Sequence, residues 1–371
     1  MREYGFSMLS RSSGSARFLH SLLEPMKNMR ITRQSNPDTS TDQEPLSRRL
    51  RGIRHARFHD PDVVYHVMLR VVQGFFLLRP DKHDHLTRLI GGVIHRAQHL
   101  YPSVRYFADA WLSNHAHILL QGEPDEISSF VGFLSREVSR RWGKVVAWPG
   151  RMFENYDSTA LPTEESQHLA LEYVASQSVK EQLVASPLQW PGAHFARDLA
   201  RSLERRGVWL DGTAYGKARH QRLACRKPSG AAPARTDYEH KVSARFEKLP
   251  ALAHLSDDAY RRHIASLVRS IAKDNAAHRS RTGGAVLGRR GVLSTPRMRR
   301  SPLPPPPWFE KRRRTIYCWA KRTARETKSY LDRYWEFQHR FFQASERFRR
   351  GDLTVAFPNG AFRPPSFTAT G

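Results

Sequence analysis

Two histidines one residue apart, His115 and His117, stand inside the otherwise apolar run WLSNHAHILL at 111–120. A strand sends residues i and i+2 to the same side, so both imidazoles would leave one face together while Ala116 points to the other. Neighbouring imidazoles on a covered strand need partners. A divalent cation is one; hydrogen bonds beneath a covering helix are the other. Counting does not decide between them, because 18 histidines in 371 residues give about one H-x-H pair by chance. The chain indeed holds a second pair, His83 and His85 in KHDHLT. That pair opens a helix, where i and i+2 do not share a face, and reads as a solvated helix start.

Further along, Tyr173 and Gln177 lie four residues apart in LEYVASQSVKEQLV. On a helix this spacing puts a phenol and an amide on one face, about 6 Å apart along the axis. Packed across a sheet, such a helix can bring Gln177 to a metal held by the histidines, with Tyr173 beside it as a nucleophile. The competing reading makes Tyr173 an ordinary aromatic of a core stripe with Leu169.

The elements that must position these residues are legible from period and punctuation. VVYHVMLRVVQGFFLL (63–78) reads as a strand followed by a turn. DKHDHLTRLIGGVIHRAQHLY repeats apolar residues at helical spacing, at Leu86, Leu89, Ile90, Val93, Ile94 and Ala97. VRYFADAWLS and HAHILLQG are two strands joined tightly around Ser113 and Asn114. PDEISSFVGFLSREVSRRW is a helix with acids at its start and arginines at its end. GRMFENYDSTAL is a further strand, and TEESQHLALEYVASQSV a helix with Thr163 and Ser166 as caps. The order predicts an α+β domain over 51–196, an antiparallel sheet with helices on one face, close to a ferredoxin-like arrangement.

Outside that domain the texture changes. Residues 1–50 are polar, without periodicity, and read as a disordered basic leader; lacking an apolar core, they are not a secretory signal. Residues 197–240, which include CRKPSGAAPART at 225–236, read as a linker. Residues 241–371 read as a mainly helical basic region, hinged by a Pro-rich stretch at 294–307. The net charge of +26 and a pI near 10.8 point to a polyanionic partner, nucleic acid first. Two cysteines, Cys225 and Cys318, make neither a disulfide framework nor a zinc site, which favours a reducing, cytoplasmic setting. No apolar run is long enough to span a membrane.

Four collinear stretches carry a family resemblance. SNHAHILL resembles the PNHxH signature of single-tyrosine HUH transposases, in particular the REP-associated tyrosine transposases. VYHVMLR (64–70) resembles the family's opening strand YHVTxR, and WPGRMF (148–153) its WQGRF/Y element. YVASQSVKEQLVASPLQWPG (173–192) resembles YIxxNPVRAGLVxxPxxWPWS. The match runs from residue 64 to 192, about a third of the chain. Ser113 stands where the family has proline, and QSVKEQLV where it has NPVRAGLV.

The resemblance implies a DNA transposase of the HUH type, with 51–196 as its catalytic domain. His115 and His117 fall on the metal ligands, Gln177 on the helix-borne third ligand, and Tyr173 on the nucleophile. The cofactor implied is Mg²⁺ or Mn²⁺, and the substrate single-stranded or hairpin DNA. The tyrosine would act within one subunit or across a homodimer. Arg136, Arg140, Arg141 and Arg151 are the phosphate-binding candidates of this domain, and the C-terminal region an accessory DNA-binding part. Two competitors remain: a DNA-binding protein of the same fold that no longer cleaves, and a cupin-like metalloenzyme. The latter would want Glu and Gly beyond the second histidine, where this chain has Leu120 and Gln121.

Overall fold

The computed structural model describes residues 55–224, 231–300, 318–319 and 324–362. The expected leader and the chain up to residue 54, the first half of CRKPSGAAPART (225–230) and the second half of the Pro-rich hinge (301–307) lie outside the described residues. The fold is α+β. Strands β1 (Val64–Arg70), β2 (Arg105–Trp111), β3 (His115–Gln121) and β4 (Asp157–Leu161) form one antiparallel sheet in the order β2-β3-β1-β4. Helix α1 (His85–Leu100) joins β1 to β2, and α2 (Pro124–Val145) joins β3 to β4. Each connection therefore steps over one strand of the sheet. The β4 strand is shorter than GRMFENYDSTAL suggests: its first half forms only an isolated bridge between Val71 and Phe153.

Helices cover both faces of this sheet, not one. Phe130 of α2 packs on Tyr106, their centroids 5.9 Å apart, and Tyr106 is paired with Leu120. Helix α1 lies beside α2 on that face. A third helix, α3 (Glu164–Lys180), crosses the opposite face. Its start is the capping box anticipated from Thr163 and Ser166: each side-chain oxygen accepts the other's backbone N–H, both at 3.1 Å. Helices on one face would leave the other side of the sheet exposed, but β1 and β3 are buried on both, as central strands between two layers must be.

The span 197–240, expected as a linker, is structured on both sides of the undescribed 225–230. A short helix α4 (Phe195–Leu199) leads into β5 (Glu204–Leu210) and helix α5 (Gly212–Ala224), and β5 pairs with β6 (Glu239–Arg245) as a hairpin. The sequence signal was masked because the hairpin has few apolar residues and is anchored by charge. Arg205, 1% exposed, lies between Asp109 of β2 and Asp198 of α4. The hairpin also reaches α1 through glycine: a Cβ on Gly92 would come within 2.1 Å of the Val208 carbonyl oxygen, and one on Gly207 within 2.2 Å of the Gly92 nitrogen. Gly92→Ala is therefore expected to destabilise the fold by about 3 kcal/mol, the upper end of overpacking costs. A urea midpoint unchanged from wild type would contradict this packing.

The described C-terminal part comprises α6 (Asp257–Thr282), packed on α3, the short α7 (Gly288–Ser294), and α8 (Arg325–Arg349). Helix α8 is not a free basic arm. Its Gln338 exchanges hydrogen bonds with the Ala56 backbone at 2.9 and 2.8 Å, and Tyr330 and Tyr334 bury against Phe58. Between α7 and α8, Cys318 and Trp319 add to the open edge of β4, where Trp319 N–H donates to Ala160 O at 2.9 Å.

Candidate active site

Cross-strand register sets the site. His115 of β3 lies opposite Arg70 of β1, and His117 opposite Met68. His66 of β1 is two residues from Met68 and shares that face. The two H-x-H histidines thus emerge together, as the strand reading required. His117 is 2% exposed and His66 5% exposed. Their rings stack with centroids 5.0 Å apart, and His66 Nε2 lies 2.8 Å from His117 Nδ1. The His115 ring stands edge-on to His117 at 4.9 Å, with its Nδ1 2.7 Å from Asn114 Oδ1.

Helix α3 lays Tyr173 across this cluster. Its ring is edge-on to His117 at 5.3 Å and to His66 at 5.7 Å. One turn on, Gln177 is buried, and its amide Nε2 donates back to the Tyr173 carbonyl at 2.9 Å. That bond commits the amide nitrogen to the helix and leaves Oε1 as the atom with ligating capacity. Tyr173 is half-buried, so its ring meets the histidines at the edge of the core rather than within an apolar stripe.

Four residues of this site were not singled out from sequence. His66 reaches the cluster through β1–β3 pairing, and register cannot be read from one sequence. Trp319 stacks on His66 at 4.9 Å and meets Tyr173 edge-on at 5.3 Å; nothing local signals that a C-terminal residue closes this wall. Lys180 and Glu181 could have been found by continuing the helix from Tyr173 and Gln177. Lys180 Nζ sits 4.5 Å from the Tyr173 ring centroid, and Glu181 Oε1 lies 3.4 Å from His115 Nε2.

The electrostatics favour neutral imidazoles. Burial, with the positive neighbour Arg70, lowers His115 to about 4. Burial and the adjoining histidines hold His117 well below the usual imidazole range, and burial lowers His66 to about 3. Burial also brings Lys180 down to about 8 and pushes Glu181 up to about 7 against the pull of Lys180.

The arginine candidates do not converge here. Arg136, Arg140 and Arg141 belong to α2, on the opposite face of the sheet. Arg136 covers Phe133 at 5.5 Å. Arg140 and Arg141 both bond Glu137, at 2.6 and 2.8 Å. Arg141 also stacks on Trp209 at 3.9 Å and donates to the Leu210 carbonyl, which makes it a bracket for β5. Arg151, in the loop before β4, donates to Asn155 at 2.8 Å. The helix-start pair behaves as a solvated turn: His83 and His85 are exposed, and Asp81 collects the backbone N–H groups of both.

No protein-family model matches the chain, and no curated protein does. Among solved structures it is similar to a REP-associated tyrosine transposase bound to a REP hairpin, at 17% identity over 40% of this chain and 87% of that one, with a TM-score of 0.31. A similarity of that size assigns neither fold nor function. No described helix is long and apolar enough to cross a membrane.

Proposed function

We propose that this chain is a ferredoxin-like, HUH-type DNA strand transferase that cleaves and rejoins single-stranded or hairpin DNA through Tyr173, as a transposase does. The observation that carries the reading is the meeting of a strand-borne histidine pair with a helix-borne tyrosine, His117 and Tyr173 being 5.3 Å apart by ring centroid. The sheet order β2-β3-β1-β4, with α1 and α2 each crossing over one strand on the same face, supports the fold assignment.

The donor set suits a divalent cation, Mn²⁺ or Mg²⁺. His117 and His115 are both fixed through Nδ1, the usual support of imidazoles that ligate through Nε2. Both are also neutral, as ligands must be. His115, His117 and the Gln177 amide oxygen would hold the ion, although among the described residues no three His, Cys, Asp or Glu side chains form such a site by themselves. When bound, the cation would supply Lewis-acid polarisation of a non-bridging phosphate oxygen.

The chain's own groups do the rest. Tyr173 oxygen attacks phosphorus in line; the O–P bond to tyrosine forms as the bond to the 3′ oxygen breaks. The phenol's proton is balanced by the proton that the departing 3′ oxygen gains. The phosphotyrosyl bond keeps the energy of the broken ester, so a 3′-OH can later reverse the step without a further energy source. A phenol with an ordinary value near 10 is a weak nucleophile at neutral pH, and the Lys180 ammonium over its ring favours the charge it develops. His66 and Trp319 wall the ring from solvent.

The test is cleavage of an end-labelled hairpin oligonucleotide by the full chain with Mn²⁺. Cut products that vanish in His117→Ala and in EDTA support the reading; cutting that persists in both overturns it. A related prediction concerns His66→Phe, which keeps an aromatic ring beneath Trp319 but removes the partner of His117 Nδ1. Mn²⁺ affinity by titration calorimetry should fall by about 10–100-fold, and an unchanged affinity would deny His66 a positioning role. The alternative, a DNA-binding protein that no longer cleaves, draws on the His115–Glu181 contact at 3.4 Å, which puts a carboxyl group where a cation on His115 Nε2 would sit. Under that alternative the wild type would bind DNA and leave it intact.

A further inference from the structure

On the face of the sheet away from Tyr173, a groove of about 1000 Å³ runs between α1, the end of α2 and α5. Its far wall is unusual in one respect. Helix α5 has no buried residue, yet Gly212, Tyr215, Gly216, Arg219, His220 and Leu223 all line the groove. They recur every three or four residues, so they form one stripe along the helix. A helix of 13 residues is marginal on its own in water, and among the described residues its inward stripe faces an open space in place of a core. Leu223 on that stripe is 79% exposed, and Val145 across the groove is 60% exposed.

The charge of the groove says what fits the space. Among the described residues, Arg88, Arg140, Arg141, Lys144, Arg219 and Arg235 line it against a single carboxylate, Glu239, already paired with Arg235 at 3.0 Å. Behind the wall, Glu137 is shared by Arg140 and Arg141, which still leaves a strong excess of positive charge. Arg88, Arg140, Lys144, Arg219 and Arg235 are exposed, whereas Trp209, with Arg141 stacked on it at 3.9 Å, and Tyr215 are partly buried. Phosphates at the rim with bases against the apolar floor is the layout of single-strand grooves. A volume of about 1000 Å³ holds a few nucleotides of one strand and not a duplex.

We infer that this groove is a second nucleic-acid site, one that holds a few nucleotides of a single strand, separate from Tyr173 and on the other side of the sheet. DNA and RNA share the phosphate and base chemistry that it recognises. The groove is independent of the cleavage reading, since it concerns binding alone and depends on none of the residues assigned to the reaction.

The experiment is fluorescence anisotropy with fluorescein-labelled dT15, U15 and a 15-base-pair duplex on the full chain in EDTA. Wild type is compared with the Arg88→Glu/Arg219→Glu double variant, both residues being exposed. The double variant should bind one or both single strands at least about tenfold more weakly. Its salt dependence should be shallower by about 1.4 in slope, because two phosphates are left without a cationic partner. The dT15 and U15 arms show which sugar the groove prefers, and weaker binding in either supports the site. Unchanged affinity and slope in both arms overturn it, as does an equal weakening for the duplex. A double variant that fails to fold, judged by circular dichroism, is replaced by Arg88→Gln/Arg219→Gln, to which the same criteria apply. Hairpin cleavage, measured separately with Mn²⁺, reports on Tyr173, so either reading can fail without the other.

Discussion

Asp109→Ala is expected to cost the fold about 3–5 kcal/mol, the range for breaking a buried ion pair by removing one partner. Asp109 is fully buried in β2, and Arg205 is 1% exposed. Asp109 Oδ1 accepts from Arg205 Nη2 at 2.6 Å. Asp109 Oδ2 accepts from the second guanidinium nitrogen, from Tyr106 OH at 2.8 Å and from Trp111 Nε1 at 2.8 Å. Removing the carboxylate strands the tyrosine and tryptophan donors and leaves the guanidinium with Asp198 alone. The cost comes from a stranded charge, so it should exceed that of an ordinary cavity of this size. Urea unfolding followed by tryptophan fluorescence measures it. A loss below about 1 kcal/mol would mean that water reaches Arg205 and that charge does not anchor the β5–β6 hairpin to the sheet.

The second large effect is acid lability. Burial lowers His59 and His66 to about 3 and His115 and His194 to about 4, and holds His117 lower than the ordinary range. Geometry agrees for His194, whose Nδ1 accepts the Ala196 N–H at 3.2 Å and so must carry no proton. A histidine with a lowered folded pKa binds fewer protons folded than unfolded, so stability rises with pH. Its contribution is complete above about 6.5 and is lost as pH falls from there toward 3–4. At pH 5 a histidine lowered to about 3–4, such as His59 or His194, costs about 2 kcal/mol. His59 and His194 lie outside the site cluster and add independently, whereas His66, His115 and His117 act as a coupled group. Glu181, raised by burial to about 7, works in the opposite sense and offsets part of the loss. Urea midpoints of the metal-free protein should therefore drop steeply between pH 6.5 and 5. A flat profile over that range would contradict neutral burial of these rings.

Much of the domain was legible because period and punctuation act locally. The strand pair around Asn114, the capped helix of Tyr173 and the placement of His115 and His117 on one face all follow from spacing within a dozen residues. What remained hidden depends on pairing between distant segments. His66 meets His117 only through the β1–β3 register, and Trp319 reaches Tyr173 from beyond the whole domain. The β5–β6 hairpin escaped notice because its anchor is Arg205, a residue whose type ordinarily marks a surface. The α2 arginines illustrate the converse. Their place near the end of a helix was visible, but the face they occupy depends on which side of the sheet α2 covers.

Tyr173 as the nucleophile beside the histidine pair is the step on which the proposed chemistry turns. It is tested by mass spectrometry of the full chain after incubation with a single-stranded hairpin oligonucleotide and Mn²⁺, followed by proteolysis. A 5′-phosphonucleotide adduct is expected on the peptide carrying Tyr173, and none in Tyr173→Phe. An adduct on another residue, or one that survives in Tyr173→Phe, would contradict that role.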